Sequence, residues 1–488
     1  MTAGMLDRRS LLRLGTLGLV GGMEAWLRAQ APGGDTLPTY VADVDGDGQL
    51  GGRDIEVMQR ALFTSRGFKV EPNTGYDYRA DIFGRAQVDQ DAVDAVLRTI
   101  ELFGNGLTVD IPRPITVAWH YGWYDTVQRP LLLQTVKYLN GDYLSNDPRV
   151  EEEFNQLKNE FGVTVDALSW MPPRVRPSLL QNYDAGYFAA ANAATRYVAL
   201  LYENALALPT RHGRNDFRQP EITSLLVADF EAMARTLVAA RDQHATRVFH
   251  LRGRPVIFVF GSHSWGLNAD DELEFDRISH VVGVVRDAFR GVYGEHPYLV
   301  GEELLQLGSS VEPSLDRVSR ASNFDALFSY HAANLKPSAT PFTMNEAYGA
   351  FQQRRLERAV RAARQIRSRF TGQRVLIIPS LAGGLAKHGM PTLTATRHAY
   401  ASYLKRLARY YSETYLPQEF PRTVGTVTMP APIFTVGSWN EEFEGHAVLP
   451  AAFNVAFGAS QQGGFDYVMA IKETFGWNHY AERSILGS

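Results

Sequence analysis

An alternation of short apolar runs with helical stretches constrains the fold of this chain more than any other feature. The runs are rich in Val, Ile, Phe and Tyr and read as buried strands. Strands that alternate with helices are typical of parallel β/α units, and eight units predict a (β/α)8 TIM barrel over residues 115–488. The predicted strands are residues 115–120, 163–170, 196–203, 255–260, 298–302, 324–330, 374–380 and 432–438, and the clearest helices are 225–241, 274–289, 344–370 and 394–415.

Aromatic and ionisable residues collect at the carboxyl ends of these predicted strands. Active groups of such barrels lie at that end, so the residues are expected to line one open cleft. Each such residue alone is more often structural, but their coincidence at the ends of several strands favours a binding cleft. The predicted substrate-binding residues are His120, Tyr121, Trp123, Tyr124, Trp170, Glu203, His263, Glu302, Tyr330, His331, Trp439 and Asn440.

Two acids follow the last predicted strand. Residues 438–445 read SWNEEFEG, which places Glu441 and Glu444 three residues apart. Cleavage of a bond between two sugars needs one carboxyl group at the leaving oxygen and a second that assists the attack. A helix-like turn would bring these two groups together, whereas an extended chain would separate them. The alternative interpretation is a solvated acidic loop.

Composition excludes several classes of function. The formal net charge is −4 and no basic block follows the N-terminus, so nothing points to nucleic acid. The chain has no cysteine, which excludes disulfides, thiolate nucleophiles, Cys-bound metals and a lipid anchor on cysteine. His212, His263, His331 and His446 are scattered, so no cofactor is expected for catalysis.

A calcium-binding loop is predicted near the N-terminus. Its ligands stand at positions 1, 3, 5, 7 and 12 of the loop, and Gly48 permits the sharp turn. A helix through Ile55, Met58 and Leu62 follows it. The alternative is a solvated Asp/Gly turn. The predicted ligands of this structural Ca²⁺ are Asp43, Asp45, Asp47, Gln49 and Asp54.

The acid at loop position 12 is Asp54 rather than a glutamate, and in this the loop resembles dockerin modules, which are duplicated. A second copy is expected near residues 81–92, followed by a helix through Val93, Val96, Leu97 and Ile100. There Phe83, Arg85 and Ala92 occupy ligand positions, so this copy is expected to keep the shape and lose its metal. The resemblance implies a small all-α module over residues 40–104 and a cohesin-like partner, and the alternative is a structural cap on the main domain.

The first residues resemble an export signal. Arg8 and Arg9 form a twin-arginine pattern, a short apolar stretch follows over residues 14–22, and 29–31 resemble a cleavage site. The apolar stretch is too short to span a bilayer. We therefore expect a signal peptide over residues 1–31 and export to the periplasm, the cell surface or the medium. The alternative is an irregular cytoplasmic N-terminus.

Several segments resemble glycoside hydrolase family 99, the family of endo-α-mannosidases, and related surface-polysaccharide proteins. These are residues 117–124 (VAWHYGWY), 147–148 (DP), 167–170 (ALSW), 252–258 (RGRPVIF) and 438–445 (SWNEEFEG). The resemblance implies a retaining α-mannoside hydrolase. Glu441 would act as base toward the 2-hydroxyl of the substrate, and Glu444 as acid and then base.

Two departures from the family pattern concern the acid motif and the fourth strand. Glu442 and Phe443 replace the tryptophan and histidine of the motif, and Phe258 and Phe260 replace tyrosines. The leading hypothesis is an exported retaining endo-acting glycoside hydrolase on α-mannosides or a related polysaccharide. The alternatives are a non-catalytic carbohydrate-binding or scaffold protein on a decayed barrel, and a polysaccharide-processing transferase.

Overall fold

The computed structural model describes two compact units. One comprises residues 1–113, 401–432 and 473–488, and the other residues 114–400 and 433–472. The described residues are 49–65, 90–103, 107–108, 115–126, 136–138, 142–209, 215–266, 275–303, 315–330, 342–343, 346–381, 393–394, 397–411, 433–440, 447–448, 451–454 and 470–471.

The larger unit contains a sheet of eight parallel strands in the order β7-β6-β5-β4-β3-β2-β1-β8. Each sequence-predicted strand is present, although β6 and β7 are shorter than expected. The strands are β1 Ile115–His120, β2 Val165–Trp170, β3 Tyr197–Glu203, β4 Arg254–Phe260, β5 Tyr298–Gly301, β6 Ala326–Leu327, β7 Leu376–Ile377 and β8 Ile433–Ser438.

The sheet closes into a barrel where the chain after β7 pairs with β8, the strands at the two ends of this order. Beyond β7, Ser380 forms a parallel bridge with Thr435 of β8. The amide of Leu381 donates to the Thr435 carbonyl at 2.7 Å, and the Thr435 amide donates to the Pro379 carbonyl at 3.0 Å. The predicted (β/α)8 barrel is therefore confirmed.

Helices connect the strands, as the alternation requires. Two connections carry helices of 23 and 19 residues, α6 and α7, which pack side by side. The α-helices among the described residues are α1 Gly52–Ser65, α2 Gln90–Phe103, α3 Pro148–Phe161, α4 Pro177–Asn182, α5 Asn204–Ala207, α6 Pro220–Asp242, α7 Phe275–Tyr293, α8 Leu315–Ala321, α9 Glu346–Ala363 and α10 Arg397–Arg409.

Four short pairings accompany the eight barrel strands among the described residues of the larger unit. Arg247–Val248 extends the sheet beside β3, and His250–Leu251 pairs antiparallel with β4. Phe342–Thr343 pairs in parallel with Leu393–Thr394, and Val136–Tyr138 pairs antiparallel with Ala451–Asn454.

Local sequence signals set the bounds of the elements that carry the site. Helix α3 begins after Asp147, whose carboxylate accepts the amide of Arg149 at 3.0 Å, and ends at Gly162, whose φ is 81°. Strand β4 is entered through a two-residue turn in which Arg252 and Gly253 have φ of 51° and 73°. Two positive φ angles are typical of a tight hairpin turn, and glycine adopts them without strain.

Both faces of the barrel strands are buried. All six residues of β1 are buried, and so are all six of β2 and of β8. Burial on both faces is expected for parallel strands covered by helices. For this reason the sequence alone does not reveal which alternate residues point into the barrel.

The smaller unit contains the helix pair α1 and α2, which contact each other. Met58 of α1 and Val96 of α2 are fully buried. A two-residue antiparallel ladder joins Gln49–Leu50 to Leu107–Thr108. Both helices lie where the sequence predicted them. None of the helices among the described residues is long and apolar enough to cross a membrane.

Candidate active site

A layer of aromatic rings fills the barrel just below the carboxyl ends of the strands. The ring centroid of Trp119 on β1 lies 5.0 Å from that of Phe258 on β4 and 5.2 Å from that of Phe328, which follows β6. These strands are not neighbours in the sheet, so the contacts cross the interior. Above them, Phe260 and Tyr330 are partly exposed and pack at 4.7 Å. The rings form an apolar floor at one end of the barrel.

Tyr121, Trp123 and Tyr330 extend this floor toward the rim. The hydroxyls of Tyr121 and Tyr330 are hydrogen-bonded to each other. Trp123 packs on Tyr121 at 4.2 Å between ring centroids, and the Arg176 guanidinium lies 5.2 Å from the Trp123 ring. Tyr121 is buried, whereas Trp123 and Tyr330 keep partly exposed surface. Among the predicted substrate-binding tryptophans and tyrosines, Trp123 and Tyr330 therefore keep exposed ring surface that a ligand could contact.

Asn440 clamps the end of β8 to the segment that follows β1. Its Oδ1 accepts the amide of Tyr121 at 2.8 Å, and its Nδ2 donates to the Tyr121 carbonyl at 2.9 Å and to the Tyr143 hydroxyl at 3.0 Å. The Tyr124 hydroxyl donates to the Asn440 carbonyl at 2.7 Å. All these groups are buried, and a fully bonded buried amide holds a single conformation.

Tyr183 fixes the same segment from the other side. Its hydroxyl accepts the Gly122 amide at 3.1 Å and lies 2.9 Å from the His120 carbonyl and 2.8 Å from the Ser169 carbonyl. Burial raises the pKa of Tyr183 well above its ordinary value, so the hydroxyl keeps its proton. The segment after β1 is therefore held by Asn440 and by Tyr183.

Glu203 and Glu302 stand at the carboxyl ends of β3 and β5, and both are buried. Ser169 donates its hydroxyl to Glu203 Oε1 at 2.8 Å. Glu302 accepts the Gly261 amide at 2.8 Å and the Tyr330 amide at 3.2 Å, one on each oxygen. Glu302 therefore links the segment after β4 to the segment after β6 and positions Gly261 and Tyr330 relative to each other.

His263 lies at the rim, with 44% of its side chain exposed and Nδ1 3.9 Å from Glu302 Oε2. Burial lowers the pKa of His263, so the ring is neutral at pH 7. A neutral imidazole can both donate and accept a hydrogen bond. The placement suits the predicted contact with a hydroxylated ligand.

Three predicted substrate-binding residues point away from the cleft. His120 packs against Phe154 of α3, Trp170 donates to Thr236 of α6 at 3.3 Å, and Trp439 also packs on Phe154. All three are buried, with exposures of 0%. Trp119 and Tyr121 face the interior, so His120 between them faces the helices. Direct contact of these three with a substrate does not fit this placement.

His120 belongs instead to a buried ion network of five side chains. Its Nε2 lies 3.2 Å from Glu151 Oε2, and its Nδ1 3.1 Å from Lys158 Nζ. Asp166 forms two ion pairs: its Oδ1 lies 2.9 Å from Lys158 Nζ, and its Oδ2 lies 2.9 Å from Arg196 Nε. Exposure of the five does not exceed 1%. Burial alone would raise the pKa of Asp166, but Arg196 and Lys158 outweigh it and hold that pKa well below its ordinary value.

Few signals in the sequence point to the residues that support the site. Neither Tyr143 nor Tyr183 stands in a motif, and Glu151 and Lys158 look like ordinary charges of an amphipathic helix. Asp166 offers the clearest signal, because it interrupts the apolar strand β2. A charge inside a strand buried on both faces needs a buried partner.

Several predicted site residues lie outside the described residues, namely Glu441, Glu444, His331, Asp43, Asp45 and Asp47. Of the predicted calcium ligands, Gln49 and Asp54 are described. Asp54 is fully buried in the first turn of α1, and its Oδ2 accepts the Gly51 amide at 2.8 Å. This contact is half of a capping box, in which a side chain of the first turn bonds the amide before the helix.

Comparison with solved structures identifies barrels of similar architecture. A "glycoside hydrolase-like protein" superposes with a TM-score of 0.50 and 14% identity, over 75% of this chain and 94% of that chain. The chain has a TIM-barrel fold of the kind found in glycoside hydrolases. No known protein family and no curated protein matches the sequence.

Two further solved structures resemble the chain more weakly. The family 99 endo-α-mannosidase of Bacteroides thetaiotaomicron gives a TM-score of 0.41 and 15% identity, over 73% of this chain and 96% of that chain. An endo-β-1,4-mannanase of Cellulomonas fimi gives a TM-score of 0.42 and 12% identity, over 77% of this chain and 74% of that chain.

Proposed function

We propose that the protein is an exported retaining glycoside hydrolase that cleaves within α-mannosides or a related polysaccharide. The observation that carries this proposal is the clamp on Asn440. It fixes the carboxyl end of β8 against the residues after β1, beside the aromatic floor. Glu441 follows directly in the chain, and Glu444 comes three residues later. The likeness to a glycoside hydrolase-like protein supports the same class.

In the proposed reaction the two glutamates have different protonation states. Glu444 donates a proton to the leaving glycosidic oxygen, while ionised Glu441 takes the proton of the sugar 2-hydroxyl. That oxygen attacks the anomeric carbon and displaces the leaving group. Water then attacks the anomeric carbon of the anhydro-sugar and gives a proton to Glu444, while Glu441 returns its proton to the 2-oxygen as the bond from that oxygen to the anomeric carbon breaks. The two displacements retain the anomeric configuration. Neighbouring carboxylates favour such a pair because one charge raises the pKa of the other group.

The described residues would bind the sugars around this centre. Trp123 and Tyr330 offer partly exposed ring surface, on which the apolar face of a pyranose stacks. Glu203 and His263 offer an acceptor and a neutral imidazole for hydroxyl groups. Tyr121, Tyr124 and Glu302 would position these groups through their own hydrogen bonds.

The N-terminal residues would serve export and attachment. Residues 1–31 would act as the twin-arginine signal, and the loop before α1 would bind a structural Ca²⁺. Asp54 and Gln49 supply oxygen donors, the ligand type that Ca²⁺ prefers, and the buried carboxylate of Asp54 at the start of α1 suits such a ligand. A cohesin-like protein remains the proposed partner of this module.

The decisive experiment compares the wild-type protein with the Glu441→Gln and Glu444→Gln variants. Each is incubated with α-mannans and with bacterial and algal polysaccharides, and the anomers of the products are followed by NMR. We expect retained configuration and a loss of at least about 10³-fold in kcat for each variant with an unchanged fold. Full cleavage by both variants would refute the assignment. Binding of a glycan without any product would favour the non-catalytic carbohydrate-binding alternative. That alternative is supported by Glu442 and Phe443, which replace the tryptophan and histidine of the family motif.

A further inference from the structure

The buried ion network contacts Trp439, the residue that directly follows β8. Lys158 Nζ lies 5.4 Å from the centroid of the Trp439 ring, within the range of a cation–π contact. Phe154 packs edge-on against the same ring at 5.9 Å. The Trp439 amide donates to the Trp119 carbonyl at 2.6 Å. Trp439 is thus fixed through its ring by α3 and through its backbone by β1.

The next residue in the chain is clamped as well. Asn440 makes its hydrogen bonds to Tyr121, Tyr143 and Tyr124 on the side of the barrel floor. Two consecutive residues before Glu441 are therefore held from opposite sides, Trp439 by a buried cation and Asn440 by neutral hydrogen bonds.

We propose that Lys158 is a positioning residue for the acids that follow β8. Its ammonium group, held between Asp166 and His120, anchors Trp439 and places a positive charge behind the strand end. This inference rests on the proposed function, because it takes Glu441 and Glu444 as the working pair. It adds a residue that the sequence motif does not contain.

The electrostatic cost of the network supports a role beyond stability. Taking an ammonium group out of water is expensive, and an apolar replacement of a buried ion cluster is often neutral or stabilising. Burial lowers the pKa of Lys158, while Asp166 and Glu151 oppose that effect. Arg196 adds a second cation at the far end, and Tyr187 donates its hydroxyl to Asp166 at 2.7 Å.

Two tyrosines also stand near the network: the ring centroid of Tyr187 lies 5.6 Å from Lys158 Nζ, and that of Tyr183 lies 6.3 Å from the ring of His120. Burial raises the pKa of Tyr183 and of Tyr187 well above the ordinary value, so both stay neutral. The ionisable neighbours on α3, β1, β2 and the start of β3 are then Glu151, His120, Asp166 and Arg196. Removing one charge changes the field at the end of β8 with a sign that is known in advance.

The test measures the pKa of Glu441 and Glu444 without any substrate. A carbodiimide activates the protonated carboxyl group, and glycine ethyl ester traps it. Peptide mass spectrometry of the full-length protein, coupled for a short time between pH 4 and pH 8, gives a midpoint for each glutamate. Lys158→Met removes a positive charge and should raise the midpoints by about 0.5 to 1 pH unit. The nearly isosteric Glu151→Gln removes a negative charge and should lower them by a similar amount.

Arg286 provides a matched control. It pairs with Asp325 at 2.8 Å, both side chains are 2% exposed, and the pair bonds to β5 rather than to β8. Arg286→Met should lower the melting temperature and leave both midpoints unchanged. Lys158→Arg, which keeps the charge, should restore the wild-type midpoints.

Three outcomes would overturn the inference. They are unchanged midpoints in Lys158→Met and Glu151→Gln, shifts of the same sign in both, and no coupling of either glutamate in the folded wild-type protein. If Lys158→Met does not fold, Glu151→Gln alone decides by the sign of its shift. These midpoints do not depend on glycan cleavage, so failure of the inference is distinguishable from failure of the proposed function.

Discussion

The side-chain amide of Asn440 hydrogen-bonds both backbone polar groups of Tyr121. The Tyr121 amide donates to Asn440 Oδ1 at 2.8 Å, and Asn440 Nδ2 donates to the Tyr121 carbonyl at 2.9 Å. The Asn440 side chain thereby replaces a further pair of backbone hydrogen bonds between β8 and β1. It holds the end of β8 in register with the segment after β1. The acid pair starts at the next residue.

Asn440→Ala should therefore lower both stability and activity. It removes the acceptor of the Tyr121 amide and one donor each from the Tyr121 carbonyl and the Tyr143 hydroxyl, all of them buried, which costs about 2 to 4 kcal/mol of the free energy of unfolding. Misplacing the acids should lower kcat by about 10²-fold. Urea unfolding and glycan cleavage measure the two effects.

Asn323→Ala is the matched control for that variant. Asn323 is 1% exposed, and its Nδ2, like that of Asn440, donates two hydrogen bonds, here to the carbonyls of Ser319 and Arg320. It should lose comparable stability and retain kcat. Equal losses of activity in the two variants would contradict a specific role for Asn440.

Gly122→Ala should destabilise the barrel through a steric clash. A Cβ on Gly122 would lie 2.5 Å from Cε1 of Tyr183, whose hydroxyl is fixed by the His120 and Ser169 carbonyls. Overpacking of this kind costs about 1 to 3 kcal/mol. Thermal unfolding should show a lower Tm.

Gly291→Ala serves as the control for the glycine substitution. Gly291 lies in α7 with open space around the position of a Cβ. Alanine there should stabilise the protein by about 0.5 to 1 kcal/mol, because it restricts the unfolded chain. An unchanged Tm in Gly122→Ala would show that Tyr183 moves freely.

Asp166 should make stability depend on pH at the acid end. Its pKa in the folded protein lies below its ordinary value. A lowered carboxyl pKa contributes stability that is complete above the unfolded pKa of about 3.9 and is lost as pH falls from there toward the folded value. Asp166→Asn should therefore be less stable than wild type at pH 7, and the difference should shrink between about pH 5 and pH 2. A constant difference in urea unfolding across that range would contradict it.

Removal of calcium should affect the helix pair and spare turnover. Chelation is expected to lower hydrogen-exchange protection in α1 and α2, because a bound ion stabilises only the folded state. Excess Ca²⁺ should restore it, and Asp45→Ala should abolish the response. Glycan cleavage lost on chelation alone would contradict a structural role for the ion.

The sequence predicted the barrel well because its apolar runs and helical stretches alternate regularly along the chain. Eight apolar runs spaced by helical stretches leave few arrangements that bury both faces of every strand. The helices through Met58 and Val96 were also predicted correctly. Strands β6 and β7 are shorter than the sequence predicted, although the chain beyond β7 still pairs with β8 through Ser380 and Thr435.

The assignment of residues to the cleft was less accurate. His120, Trp170 and Trp439 were predicted to contact substrate because each stands at a strand end. A strand sends successive side chains to opposite faces, and burial of both faces hides which face is the interior. The contacts of Trp119 with Phe258 and of Trp439 with Phe154 settle the two faces.

The sequence by itself determined the eight β/α units and the carboxyl-end position of the residues that precede Glu441, because both follow from local periodicity and chain order. Only the tertiary structure decided which strand-end side chains face the cleft, and that Lys158 and Asn440 hold the end of β8 from its two sides. Those contacts join residues far apart in the chain, such as Asn440 and Tyr121, and their geometry exists only once the sheet has closed.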